Sequence, residues 1–557
     1  MKHIIFLFIT FLVCLVSLLH ADDYTWIDPN GGELGDGTKW DVGVSPGADD
    51  FVWFTLPDSY DVWMDDSYTY DRMMVDGSDV TLDLNGFTLF LDGMADYNCS
   101  TIIGDEAFGG LSVSGGEIHS GDVFLGRNSN LSEGRLNLSG PETIWTCLIN
   151  DGWHGFFAAT GGDASVRVTD DAQLRHGHGQ SGIYGKATYE IDGRESEWYV
   201  DGQFQMSVYG DTFVTLSNGA RLRIAKLETA LFPGSTATLN VTGVSHETEL
   251  AIENWWDEIP FYLGRGGKAE VNLTGSKLFC SGNMVIGEEG SGRGQLTLQS
   301  GSWADIAGTL AVGGSLDRPG GEGLLYLYSD WGTGQYSDFS CAWEPGDSLR
   351  VWPKGTVRVD GGQIRLETPY GPNAIELRGG TLEGWGWIWA DILNEGMVIP
   401  GGVGDWKVLN VQYDYTQGET GTLRIPIAGA GSNWYYGTLS VNDPPYGQVT
   451  LDGMLEVELW NGFVPAYEDE FVIIEAISLS GQFINAATEY VFEDGTFEVI
   501  YEPTRVILTH YVSEPRCPAF PMADLNKDCK VNLADFSVMA EQWLDCGLQP
   551  TASCSQQ

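Results

Sequence analysis

The sequence predicts an all-β protein: a right-handed parallel β-helix (solenoid) with a C-terminal β-sandwich-like domain and a small calcium-binding loop-helix module. Three observations lead there. A short alternating phrase closed by glycine recurs along the chain, neighbouring copies fall 25 residues apart in two places, and helical periodicity is almost absent before residue 530. Periods of about 20 to 50 residues mark solenoids or propellers, and about 25 is too short for a four-stranded propeller blade.

The phrase appears as "LSVSGG" (111–116), "LNLSG" (136–140), "LNVTG" (239–243), "VNLTG" (271–275), "LTLQSG" (296–301) and "VRVDGG" (357–362). Alternation with period two sends Leu136 and Leu138 to one face of a strand and Asn137 and Ser139 to the other. The closing glycine permits a corner that a side chain would obstruct. A second short run sits inside the period, "VFLG" (123–126) after the first phrase and "MVIG" (284–287) after the fourth. Two or three short strands per period make one coil of a parallel β-helix.

In chain order, residues 1–21 read as an export signal. Lys2 supplies the positive end, 4–19 the apolar run, and Ala21 the last residue before the cut. Residues 22–74, rich in Trp, Pro and Asp, are expected to cap the solenoid, because each coil buries its apolar face only against its neighbours. Residues 75–402 are the β-helix, roughly 13 coils and about 60 Å at about 4.8 Å per strand. After Gly402 the phrases lengthen to "GTLRIPIAG" (421–429) and "GMLEVELWNGF" (453–463), which predicts longer antiparallel strands in a closing domain over 403–512.

The last module, 513–557, opens on "DLNKDCKVNLAD" (524–535). Asp524, Asn526, Asp528, Asn532 and Asp535 occupy loop positions 1, 3, 5, 9 and 12, and Lys530 offers its carbonyl at position 7. That spacing wraps oxygen ligands around Ca²⁺. Leu533, Phe536, Ala540, Trp543 and Leu544 then trace an apolar stripe at helical spacing. Metal binding should order the loop and nucleate the helix.

Charge narrows the partners. The chain carries 78 acids against 28 bases, a formal charge of −50, and −51 once Lys2 leaves with the signal. Nucleic acid and anionic membranes are repelled by such a surface, and no later segment is apolar enough to span a bilayer. The expected location is extracellular, secreted or on a cell surface. Cys517, Cys529, Cys546 and Cys554 crowd the last module as a disulfide-stapled unit would, with Cys529 and Cys546 the least compatible pair across the intervening helix. Cys99, Cys147, Cys280 and Cys341 are dispersed, open to pairing or to simple burial.

Three other motifs carry chemistry. In "WGWIW" (385–389) an extended strand would set Trp385, Trp387 and Trp389 on one face, with Gly386 and Ile388 on the other. Outward indoles offer a platform for sugar rings; the alternative is that the closing domain packs over them. "LRHGHGQ" (174–180) places His176 and His178 on one side of an extended segment, too few ligands for zinc or copper, so a polar corner is expected. "NWWDE" (254–258) mixes aromatics with acids as sugar clefts do.

Two stretches look like known families. "DLNKDCKVNLADFSVMAEQWL" (524–544) resembles the dockerin repeat, a calcium loop followed by a helix that docks secreted proteins onto a cohesin partner, commonly in polysaccharide-degrading systems. Only one copy is present, Cys529 stands at the usual loop glycine, and Leu533 and Ala534 stand where many dockerins carry hydroxylated contact residues. The body is similar to bacterial secreted repeat proteins with autotransporter-passenger-like β-helices at 26–54, 379–402 and 413–429. That resemblance implies adhesion or surface display.

Together these features predict a secreted, calcium-binding, non-catalytic solenoid. Its partners would be an extracellular polysaccharide or cell-surface polymer and a cohesin-like docking protein. The competing expectation is a polysaccharide lyase or glycoside hydrolase on the same scaffold, with catalytic carboxylates scattered over several coils.

Overall fold

The computed structural model describes residues 22–92, 100–147, 155–244, 246–253, 260–330, 334–366, 374–401, 408–432, 434–513, 523, 525, 531 and 533–541. Among these, fifty strands join in one continuous hydrogen-bonded network, nearly all parallel, and a single α-helix, Leu533–Glu541, lies near the C-terminus. The chain coils into three faces. One coil supplies Glu133–Ser139 to face 1, Ile144–Cys147 to face 2 and Gly155–Ala158 to face 3. The next coil repeats the order with Asp163–Thr169, Gln173–His176 and His178–Ser181, each parallel to its predecessor. The fold is the predicted parallel β-helix.

The repeated phrase is the register device. Leu111, Leu136, Val166, Tyr189, Val214, Leu239, Val271, Leu296, Leu325, Val357 and Leu382 pair successively through the interior of face 1. All six phrases thus begin in one buried column. A slip of one residue would turn the whole column outward, so burial pins the register. Strands of a parallel sheet hydrogen-bond only to the coils before and after, and the stacked aliphatics fill the space between the three faces.

Glycine holds the corner between faces 3 and 1 in several coils, and Ala159, Ser207 and Ala230 hold it at positive φ in others. Gly287 has φ +74°, and a Cβ there would lie 2.1 Å from the Glu322 carbonyl oxygen of the next coil. No side chain fits that approach.

The solenoid extends beyond its predicted limits at both ends. Asp23–Thr25 already pairs in parallel with Phe51–Phe54, so the coils begin inside the segment expected to be a separate cap. Capping is done instead by an aromatic plug. Trp26 packs edge-on to Trp40 at 5.2 Å and stacks on Tyr60 at 6.5 Å, and Trp26 and Trp40 are fully buried. At the other end, parallel pairing runs on past Gly402: Thr422–Ile427 lies parallel to Met454–Leu459, and Gln448–Leu451 to Ser478–Gly481. Among the described residues, antiparallel pairing beyond isolated bridges is confined to the strands Phe471–Ala476, Glu489–Phe492, Gly495–Glu502 and Arg505–Ser513. These close the rod. Roughly 17 coils at about 4.8 Å make it about 80 Å long.

The final edge of face 1 is covered by side chains. Asn485 accepts from the Leu455 amide at 2.9 Å and donates to its carbonyl at 2.8 Å, and the Tyr490 hydroxyl accepts from the Val457 amide at 3.1 Å. An open strand edge is a template for pairing with another chain, and these groups occupy it.

Candidate functional site

Trp385, Trp387 and Trp389 lie on the strand Thr381–Trp389, whose alternate residues Leu382, Gly384, Gly386 and Ile388 are buried. The strand does not stay on one face. Gly384 (φ +109°) and Gly386 (φ +145°) bend it, and its partners divide accordingly. Trp385 pairs with Asp360 at the end of face 1, whereas Trp387 and Trp389 pair with Gln363 and Arg365 on face 2. The three indoles therefore do not form one flat ladder. Trp387 and Trp389 share face 2, and Trp385 turns around the corner.

Face 2 supplies neighbours that the sequence motif did not reveal. One outward column runs Trp303, Asp338, Gln363, Trp387, Asn410, and the one beside it Asp305, Ser340, Arg365, Trp389. Trp389 is 38% exposed, and Trp343 and Tyr336, on loops at either border of the face, are 41% and 44% exposed. Tyr336 meets Trp387 edge-on at 6.5 Å. The result is a strip of aromatic surface interleaved with amides, a hydroxyl and one guanidinium. Trp303 could have been found by laying the sequence out at the coil period, where "GSWADIAG" (301–308) falls on face 2. Trp343 and Tyr336 lie on insertions that break the period and carry no such signal.

The carboxylates of this strip are already engaged. Asp305, 5% exposed, accepts from the Ser340 hydroxyl at 2.7 Å and the Trp343 indole at 2.9 Å. Asp338 accepts from Gln363 at 3.0 Å and forms an ion pair with Arg365. The carboxyls pushed above their ordinary range lie elsewhere. Glu288, beside Arg265, and Asp391 are raised by burial, and Glu33 is raised by its contact with Asp65.

The histidines are split by a corner at Gly177. His176 points inward, fully buried, stacked on Phe156 at 5.3 Å. Its Nε2 accepts from the Trp198 indole at 2.8 Å, so Nδ1 carries the proton and donates to the His178 carbonyl at 3.1 Å. Burial lowers its pKa to about 3. His178 is half-buried on the next strand and accepts from the Gln203 amide. The expectation that both lie on one side does not hold, because the chain turns between them.

Cys147, Cys280 and Cys341 are free, buried thiols. Cys280 and Cys341 flank Ile306 in one interior column, two strand spacings or about 10 Å apart, beyond disulfide reach. Burial pushes the Cys147 and Cys280 thiols up to about 12. No disulfide joins the described residues; Cys99, Cys517, Cys529, Cys546 and Cys554 lie outside them.

Asp524, Asn526, Asp528, Lys530 and Asn532 of the calcium loop also lie outside the described residues, as do 1–21, 254–258, Trp543 and Leu544. The sixth loop residue, Asp535, is 3% exposed in the first turn of Leu533–Glu541, and its carboxylate accepts from the Leu525 amide at 2.7 Å. The last loop position thus folds back onto the second. An oxygen-only donor set with a buried carboxylate closing the loop fits a hard cation such as Ca²⁺.

The fold and this strip define the molecule as a β-solenoid protein with an aromatic lateral face. Among known proteins, no family model matches the chain and no curated protein matches it.

Proposed function

We propose that the protein is a secreted, non-catalytic solenoid that holds an extracellular polysaccharide against face 2 and is tethered through a calcium-folded, dockerin-like terminal module. The observation that carries this reading is the pairing of Trp387 and Trp389, two residues apart on one strand, with Gln363, Arg365 and Asn410 alongside. Indole faces take the apolar C–H side of a sugar ring, and the flanking amides and guanidinium take its hydroxyls.

Binding is favoured over hydrolysis or elimination because Asp305 and Asp338 each hold two neighbouring donors on one carboxylate oxygen, Ser340 and Trp343 on the first and Gln363 and Arg365 on the second. A glycosidase needs two carboxyl groups about 5 to 9 Å apart that are free to exchange protons. In the terminal module, Asp524, Asn526, Asp528, the Lys530 carbonyl, Asn532 and Asp535 would hold Ca²⁺. The metal would supply the charge that keeps the loop closed and the helix docked. A cohesin-like protein is the partner this module suits.

A glycan array read for both retention and cleavage tests the proposal. Trp387→Ala should weaken retention about tenfold, as loss of one stacking contact of about 1.4 kcal/mol implies. Release of oligosaccharide by the wild type would overturn the non-catalytic reading. Unchanged retention in both Trp387→Ala and Trp389→Ala would remove the site from face 2.

A further inference from the structure

The acidity of the chain is unevenly distributed. Residues 265–378 hold ten bases against thirteen acids, whereas the whole chain stands at −50. One fifth of the sequence is therefore nearly neutral, and almost all the net charge lies outside it. Solenoid coils stack in sequence order, so this segment is a contiguous band around the rod rather than a scattered set.

Within that band, face 1 carries a groove of about 560 Å³ whose rim sets Lys268, Arg293, Lys354 and Arg358 against Glu270, Glu322 and Glu383. Lys268 and Arg293 are direct register partners, two like charges on adjacent strands, an arrangement that costs stability in the empty protein. Their compensation is loose. Lys268 meets Glu270 at 2.6 Å and Arg293 meets Glu322 at 3.2 Å, but Lys268, Arg293 and Glu322 each keep more than half of their side-chain surface in solvent. Exposed pairs of this kind exchange readily for another anion. Lys354 is exposed and forms no ion pair among the described residues. Arg358 lies over the Tyr326 ring at 5.3 Å and is ion-paired to Asp360 at 2.9 Å and to Glu383 at 3.8 Å, which leaves Lys268, Arg293 and Lys354 as the exchangeable bases; Tyr328, Asp360 and Trp385 continue the same face in register. The indole that the corner removes from face 2 thus sits beside this basic groove.

The geometry points to a second polymer site, on face 1, for a polysaccharide bearing carboxylate or sulfate groups. The bases take the acidic groups, while Tyr328 and Trp385 flank the sugar rings. The near-neutral band spares an acidic polymer most of the repulsion that a net charge of −50 imposes on the chain as a whole. This inference is independent of the face 2 platform, since no residue is shared.

Affinity electrophoresis through gels containing polygalacturonate, dextran sulfate or neutral dextran tests it. Wild-type protein should be retarded by an acidic polymer at about 10 mM salt and released at about 300 mM. Arg293→Glu/Lys354→Glu should lose retardation at least about tenfold. Arg135→Glu/Arg167→Glu, the same charge change on face 1 outside the band, should retain it to within about twofold. Retardation by polygalacturonate alone assigns a uronate, and retardation by dextran sulfate alone a sulfate ester. Trp387→Ala should leave all of this unchanged, which separates failure here from failure of the face 2 reading. Absence of retardation in both acidic gels, or equal loss in the two charge-reversal pairs, would overturn the proposal.

Discussion

Buried His176 makes the middle of the rod acid-sensitive. Its imidazole is neutral, enclosed by Phe156, Trp198 and Phe204, and both ring nitrogens are used. Protonation would turn the Nε2 acceptor into a donor facing the Trp198 indole N–H and place a charge in an apolar interior. The folded pKa of about 3 lies below the value near 6.5 of the unfolded chain. Between those values the unfolded state binds the extra proton. The contribution is therefore complete above about pH 6.5 and is lost progressively as pH falls toward 3, at about 1.4 kcal/mol per unit. By pH 4 the loss is about 3 kcal/mol.

A non-titrating partner isolates this effect. His176→Gln keeps an amide donor and acceptor at the site, and any fixed cost of the replacement is the same at every pH. Urea unfolding followed by near-ultraviolet circular dichroism, run on both proteins from pH 7 to pH 4, gives the difference in stability. The wild type should lose about 3 kcal/mol relative to the variant across that range, the shared response of the surface carboxylates cancelling. A difference that stays constant with pH, or a His176 resonance titrating near 6.5, would show that the imidazole is not sealed as described.

Gly287→Ala should cost more than about 2 kcal/mol, since it combines positive φ with a Cβ 2.1 Å from a backbone oxygen, and should lower the thermal midpoint. Asn485→Ala should uncover the Leu455 edge, cost about 1 to 3 kcal/mol, and raise the apparent mass in light scattering at high concentration as the freed strand finds partners. Asp535→Ala should abolish a calcium-dependent gain in helicity and weaken Ca²⁺ binding by calorimetry at least about tenfold, leaving the β signal of the body untouched.

Local pattern was sufficient for the core of this protein. The leading Leu or Val of each glycine-closed phrase is buried in one column, because alternation decides which side chains face inward and burial of that side permits a single register. The limits of the rod were not legible. "GTLRIPIAG" and "GMLEVELWNGF" look like long antiparallel strands, yet they run parallel, for strand length says nothing about the direction of a partner. The site divided in the same way. Outward placement of Trp385, Trp387 and Trp389 follows from period two, but Gly384 and Gly386 bend the strand and send one indole to a different face. His176 and His178 are separated by the same kind of corner. In and out belong to each residue and its immediate neighbours, so the sequence by itself determined them. Which face a residue reaches, and which charges and rings stand next to it, depends on where successive coils turn and stack, and only the tertiary structure decided that.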